Sequence, residues 1–123
     1  MATNATWTVV FEDKLIIKQS GDGAGGYVID NDSFWNDSKW SNVWAIQFGT
    51  SNSNDEVEYR DDTPHSSWTN ANLGDFSSQF INKWDAAHLV RLQSDWDNNN
   101  VDGETESEKI TRLGARPTSY SSE

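Results

Sequence analysis

The chain has 123 residues and a formal net charge of −11, from 9 basic and 20 acidic side chains. That length supports one domain and no second core, and the charge disfavours nucleic acid or an anionic membrane surface as a partner. The absence of cysteine excludes disulfide scaffolds, thiolate metal sites and cysteine nucleophiles.

Only 34% of residues are hydrophobic, but seven Trp, five Phe and three Tyr concentrate the apolar surface in rings. Each ring buries about 150–250 Å², so a few replace many aliphatics. The start, Met1-Ala-Thr-Asn4, shows neither the basic nor the apolar region of a signal peptide. No apolar run approaches the ~20 residues of a membrane span.

In chain order, residues 1–5 read as an extended arm and 6–96 as the folded domain. Residues 97–123 read as an acidic loop, a short helix and an extended tail. Thr6-Trp-Thr-Val-Val-Phe11 alternates so that Trp7, Val9 and Phe11 share one strand face, with Thr8 and Val10 on the other. Leu15-Ile-Ile-Lys-Gln19 is its hairpin partner. Glu12-Asp13-Lys14 lacks the Asn-Gly or Asp-Gly of the tightest turns, which predicts a longer or bulged loop. Gly21-Asp-Gly-Ala-Gly-Gly26 reads as a flexible connector. It is not a phosphate loop, because the Gly-Lys-Ser/Thr ending is missing. The short apolar piece Tyr27-Val-Ile29 follows. Asp32 is then placed to cap a helical turn over 33–38, with Phe34, Trp35 and Trp40 docked inward.

Val43-Trp-Ala-Ile-Gln-Phe48 and Glu56-Val-Glu-Tyr-Arg60 form a second antiparallel hairpin with one wet face, ended by Pro64. A helix is predicted from Asp75, its N-cap, to Asp95. Its apolar arc carries Phe76, Phe80, Ile81, Trp84, Ala87, His88, Arg91 and Leu92. A second helix over 104–113 precedes the tail that starts at Gly114. The fold expected is α+β: two antiparallel hairpins forming a small sheet, one amphipathic helix packed across it, and extended termini.

Three patterns bear on chemistry. Asp95, Asp97, Asn99, the Val101 carbonyl, Gly103 and Glu106 fall at the six ligand positions of an EF-hand loop. Asn100 stands where the sharp turn needs Gly, and Asp102 where an apolar residue belongs. The competing reading is a solvated acidic loop, so the expectation is no cofactor, with calcium as the alternative. Asp30, Asp32 and Asp37 form a weaker cluster, which helix capping and turn chemistry explain. Trp35, Trp40, Trp44 and Trp68 are candidates for a sugar-stacking platform, against the plainer reading that the core needs them. His65 and His88 are far apart in sequence. No nucleophile–base–orienter set is present, so no enzyme is expected.

Val43-Trp-Ala-Ile-Gln-Phe-Gly-Thr50, Glu56-Val-Glu-Tyr-Arg-Asp61 and Thr63-Pro-His65 together resemble a motif in small proteins of tailed bacteriophages, those of marine and cyanobacterial phages above all. The chain departs from that pattern at Phe48, where Trp is usual, in the longer loop 51–55, and at Asp62, where Gly is usual. The resemblance implies a phage-encoded virion protein: a non-enzymatic structural component that docks onto other phage proteins and is oligomeric in the assembly. Capsid decoration comes first, and a tail or fibre accessory role second. The polar ends 1–6 and 114–123 are expected to lie on a neighbouring subunit rather than in the core. Arg112, Arg116 and Tyr120 are the candidate interface residues. An acidic DNA mimic that blocks a host enzyme is a further alternative.

Overall fold

The computed structural model describes residues 6–20, 24–49, 55–66 and 76–122. Its centre is a five-stranded antiparallel sheet: β1 (Thr6–Val10), β2 (Leu15–Lys18), β3 (Gly25–Val28), β4 (Val43–Gly49) and β5 (Glu56–Tyr59), in the order β3-β2-β1-β4-β5. Three α-helices accompany it: α1 (Asp32–Trp35), α2 (Phe76–Asn98) and α3 (Glu106–Leu113). A 3-10 turn spans Ser38–Trp40. The α+β architecture is the one expected from the two hairpins and the long helix.

β1 lies at the centre because each of its neighbours matches its alternation. Trp7 stands opposite Phe48 on one side and Lys18 on the other, and Val9 opposite Ile46 and Ile16. Trp7, Val9, Ile16, Ile46 and Phe48 therefore share the inner face and are buried. The β1–β2 turn closes with Lys14 N–H donating to the Phe11 carbonyl at 3.2 Å, and Lys14 takes a positive φ of 54°. In β4, a register shift between Val43 and Ala45 re-phases the strand, so Val43 also points inward.

The fifth strand departs from the sequence reading. Gly25 and Gly26 are not connector but the first half of β3, paired with Lys18 and Ile17. Glycine serves a close approach there, since a Cβ on Gly26 would stand 3.1 Å from Ile17 Cγ1. The chain then crosses to the other side of β1 through α1 and the 3-10 turn. That crossing carries Phe34, Trp35 and Trp40 onto the core. Asn31, rather than Asp32, caps α1 and accepts from the Phe34 N–H at 3.2 Å. Asp37 caps the 3-10 turn, so the helical stretch is split rather than continuous over 33–38.

α2 runs three residues beyond Asp95, and the N-cap expected at Asp75 lies outside the described residues. Its buried face is Phe80, Ile81, Trp84, Asp85 and His88. Arg91, expected on that arc, is exposed and faces Asp95 at 3.9 Å. Phe80 sits at the centre of the ring cluster, 5.1 to 6.5 Å from the centroids of Phe11, Phe34, Trp35, Trp40 and Phe48.

Asp55, just before β5, is buried with Oδ1 lacking a hydrogen-bond partner. Burial pushes its carboxyl above the ordinary carboxylate range, and the Gly49 N–H opposes this only in part. A raised folded-state value means that stability is complete below the ordinary carboxylate range and falls as pH rises through the folded value. Asp55→Asn keeps an acceptor for Gly49 and removes the charge. It is expected to raise the melting temperature by a few degrees at neutral pH and by nothing at acid pH. An equal gain at both pH values would show that charge burial is not the cause.

Candidate functional site

The C-terminal quarter holds most of the residues singled out from the sequence. Thr105 caps α3 with a reciprocal capping box: its side chain accepts from the Glu108 N–H, and the Glu108 carboxylate accepts from the Thr105 N–H. The helix thus starts at Glu106, two residues later than expected. Arg112 reaches back from α3, donating from Nε and Nη2 to both Glu104 oxygens at 2.8 Å, from Nη1 to Asn99 Oδ1 at 2.8 Å and from Nη2 to the Asn99 carbonyl at 3.0 Å. Arg116 forks onto Asp97 at 2.8 and 2.9 Å. Lys109 donates to Asn100 Oδ1 at 2.6 Å and lies 4.0 Å from the Trp96 ring centroid.

These contacts bear on the calcium alternative. Asp95 and Asp97 lie inside α2 rather than in a loop, and Glu106 is in the first turn of α3. Asp97 and Asn99 are engaged by the two guanidinium groups. The EF-hand reading fails to see the arginines because they lie outside the twelve-residue window.

Hydrogen bonds from Arg116 and Arg112 hold the Asp97 and Glu104 carboxyls below their usual range. The sign is the reverse of that for Asp55: the contribution is complete above the ordinary carboxylate range and lost as pH falls through the depressed values. Arg112→Ala is expected to speed amide exchange over 99–105 about tenfold while the sheet stays protected. Arg112→Lys should not restore protection, because an ammonium cannot fork onto Glu104. Rescue by lysine would show that charge alone suffices.

Tyr120 is also engaged within the chain, and with it the end of the tail. This corrects, at Tyr120 and Ser122, the expectation that the tail stays outside the core; Glu123 and the arm 1–5 lie outside the described residues. Lys18, on the inner face of β2, and Asp85, on the inner face of α2, are both more than nine-tenths buried, and so is Ser122. The Asp85 carboxylate accepts from the Ser122 N–H at 2.9 Å and its hydroxyl at 2.5 Å, and Lys18 Nζ donates to Ser122 Oγ at 3.1 Å and to Tyr120 Oη at 3.4 Å. The ammonium also faces rings, with centroids of Trp84, Trp7 and Tyr120 at 5.0, 5.6 and 5.7 Å. His88 stacks on Trp84 with centroids 4.6 Å apart, meets Tyr120 edge-on at 4.4 Å, and bonds Tyr27 Oη through Nδ1 at 2.6 Å. Sequence reasoning missed this constellation because its members come from β2, β3, α2 and the tail. The one local signal was two charged residues, Lys18 and Asp85, at inward positions.

Two surface features complete the picture. Glu56, Glu58 and His65 bring their ligand-type atoms within 4.8 Å of one another on the wet side of β5, with His65 Nδ1 3.5 Å from Glu56. A cleft of about 590 Å³ lies between α2 and the β3–α1 segment, lined by Val28, Ile29, Phe34, Lys83, Ala87 and Val90 among others. It holds no paired nucleophile and base. Of the proposed sugar platform, Trp35 and Trp40 are buried, Trp44 is 39% exposed with the Arg60 guanidinium 5.8 Å from its ring, and Trp68 lies outside the described residues. Asp30, Asp32 and Asp37 do not converge: Asp32 pairs with Lys14 at 2.5 Å, and Asp37 caps the 3-10 turn.

No protein-family model, curated protein or solved structure matches this chain. Among the described residues, no helix is long and apolar enough to cross a membrane.

Proposed function

We propose that the chain is a non-enzymatic structural protein of a phage virion that docks onto another virion protein, with decoration of the capsid as its first role. The phage assignment rests on the residue pattern of 43–65, which in the fold is the β4–β5 half of the sheet. The docking assignment rests on the outer edge of β3. The bond from the Ile29 N–H to the Lys14 carbonyl sets the pairing phase, so Gly26 and Val28 turn their N–H and C=O groups away from β2.

No described strand pairs with that edge, and β3 carries no charge or proline to guard it. Val28 and Val90 stand exposed beside it, at the cleft. The other edge is defended: β5 carries Glu56 and Glu58, and Ser66 bridges back to Val57. An extended segment of a partner, added as a sixth strand with an apolar residue in the cleft, suits this edge. The surplus of carboxylates keeps a densely displayed protein soluble.

Quantitative mass spectrometry of purified particles from the encoding phage tests the reading. A copy number comparable with the major capsid protein supports decoration, and a few dozen copies move the role to the tail. Absence from clean particles overturns the virion assignment.

A further inference from the structure

The wet face of β5 carries a mixed donor set that neither the β3 edge nor the tail uses. Glu56 and Glu58 stand two residues apart on one strand and so project to the same side. The segment after Pro64 returns alongside them. The Val57 N–H donates to the Ser66 carbonyl at 2.8 Å, and the Ser66 N–H donates to the Val57 carbonyl at 3.2 Å. That antiparallel pair stands His65 opposite Glu58. A hydrogen bond between the Tyr59 and Ser66 hydroxyls ties the two segments a second time. One imidazole and two carboxylates are thereby brought within 4.8 Å of one another, with His65 Nδ1 3.5 Å from Glu56 Oε2.

We propose that Glu56, Glu58 and His65 bind a divalent transition-metal ion, with zinc as the best match. Zinc takes imidazole nitrogen and carboxylate oxygen at about 2.0–2.2 Å, and donors at that radius stand about 3.0–3.4 Å apart. The Nδ1–Oε2 separation is already near that range. Rotation of the Glu58 side chain closes the rest, because the Val57–Ser66 pair fixes the backbone on both sides. An imidazole among the oxygens favours zinc and its first-row neighbours over calcium and magnesium, which take oxygen ligands.

Charge points the same way. Two carboxylates against one imidazole leave the set negative whether or not the ring is protonated. Elsewhere in this acidic chain a fixed cation answers such a carboxylate: Lys14 answers Asp32, Arg116 answers Asp97 and Arg112 answers Glu104. Among the described residues no lysine or arginine pairs with Glu56 or Glu58. Arg60, two residues past Glu58, lies over the Trp44 ring instead. The net charge of −11 further concentrates cations at the surface. The His65 and Glu56 side chains are 55% and 51% exposed, so water or a side chain of a docked partner can complete the coordination. β5 and β3 are opposite edges of the sheet, so the inference does not rest on the docking edge or on the virion reading.

The test titrates the untagged full chain, stripped with EDTA and dialysed, with zinc chloride in a calorimeter. One ion per chain at micromolar affinity is expected, and calcium chloride should give no comparable heat. His65→Ala and Glu58→Gln should each weaken zinc binding about tenfold or more, since losing even a group that only supports a metal ligand costs that much. None of the three side chains is buried, and an unchanged urea midpoint without metal shows that the variants fold. The two histidines supply an internal reference. Zinc should move the NMR ring signals of His65 and leave those of His88, which is stacked on Trp84, in place. No binding up to millimolar zinc overturns the inference. Binding that survives both substitutions also overturns it, because the ion then sits among other carboxylates. A loss in His65→Ala with none in Glu58→Gln reduces the set to a His65–Glu56 pair and rejects the three-ligand site.

Discussion

Phe80→Ala is expected to cost about 3–5 kcal/mol, the range for removing a fully enclosed aromatic ring. Phe80 is fully buried and packs against rings from the β1–β2 turn, α1, the 3-10 turn and β4. Those neighbours are themselves rings on separate elements, which cannot all slide inward to fill the space. Edge-to-face pairs with Phe11 and Phe34 would be lost as well, each worth about 0.5–1.5 kcal/mol beyond burial. Domains of this size hold about 5–15 kcal/mol in total, so the variant should be partly unfolded near 37 °C. Urea unfolding followed by tryptophan emission measures the loss. A cost below about 1 kcal/mol would mean that the cluster collapses freely and that Phe80 is not its centre.

Asp85→Ala is expected to cost about 3–5 kcal/mol through a different route. The side chain accepts both the amide and the hydroxyl of Ser122, and Ser122 Oγ is also the link to Lys18. Removing the carboxylate strands a buried ammonium among rings and releases the tail. The signature is therefore local as well as global: faster amide exchange over 117–122 and a change in Trp84 emission, before the sheet itself opens. Adding Lys18→Met to Asp85→Ala should recover much of the loss, because an apolar side chain then replaces the unpaired charge. If the two losses simply add, Lys18 and Asp85 do not act through a common link.

The expected core face of β1, the two hairpins and the long helix were legible because each rests on short-range alternation or helical periodicity. Trp7, Val9 and Phe11 share a buried face for that reason, and Phe80, Ile81, Trp84 and His88 another. β3 was not legible, since glycine is depleted in strands and its value at Gly26 is a close approach to Ile17 that only the paired sheet reveals. Arg91 was placed on the apolar arc by geometry alone, whereas its long charged stem follows solvent and Asp95. The buried constellation around Lys18 and Asp85 was invisible for a plainer reason. Lys18 and Ser122 are 104 positions apart, and the inward placement of Lys18 does not say which distant residue meets it.

That separation also fixes an order of events during synthesis. β1, β2 and the β3 edge emerge early and can pair, but the tail that closes over Lys18 comes from residues made about a hundred positions later. Until then the nascent chain presents a half-finished wall of Trp7, Trp84 and an unlinked ammonium. Closure over Lys18 thus belongs to the time after translation has passed Ser122.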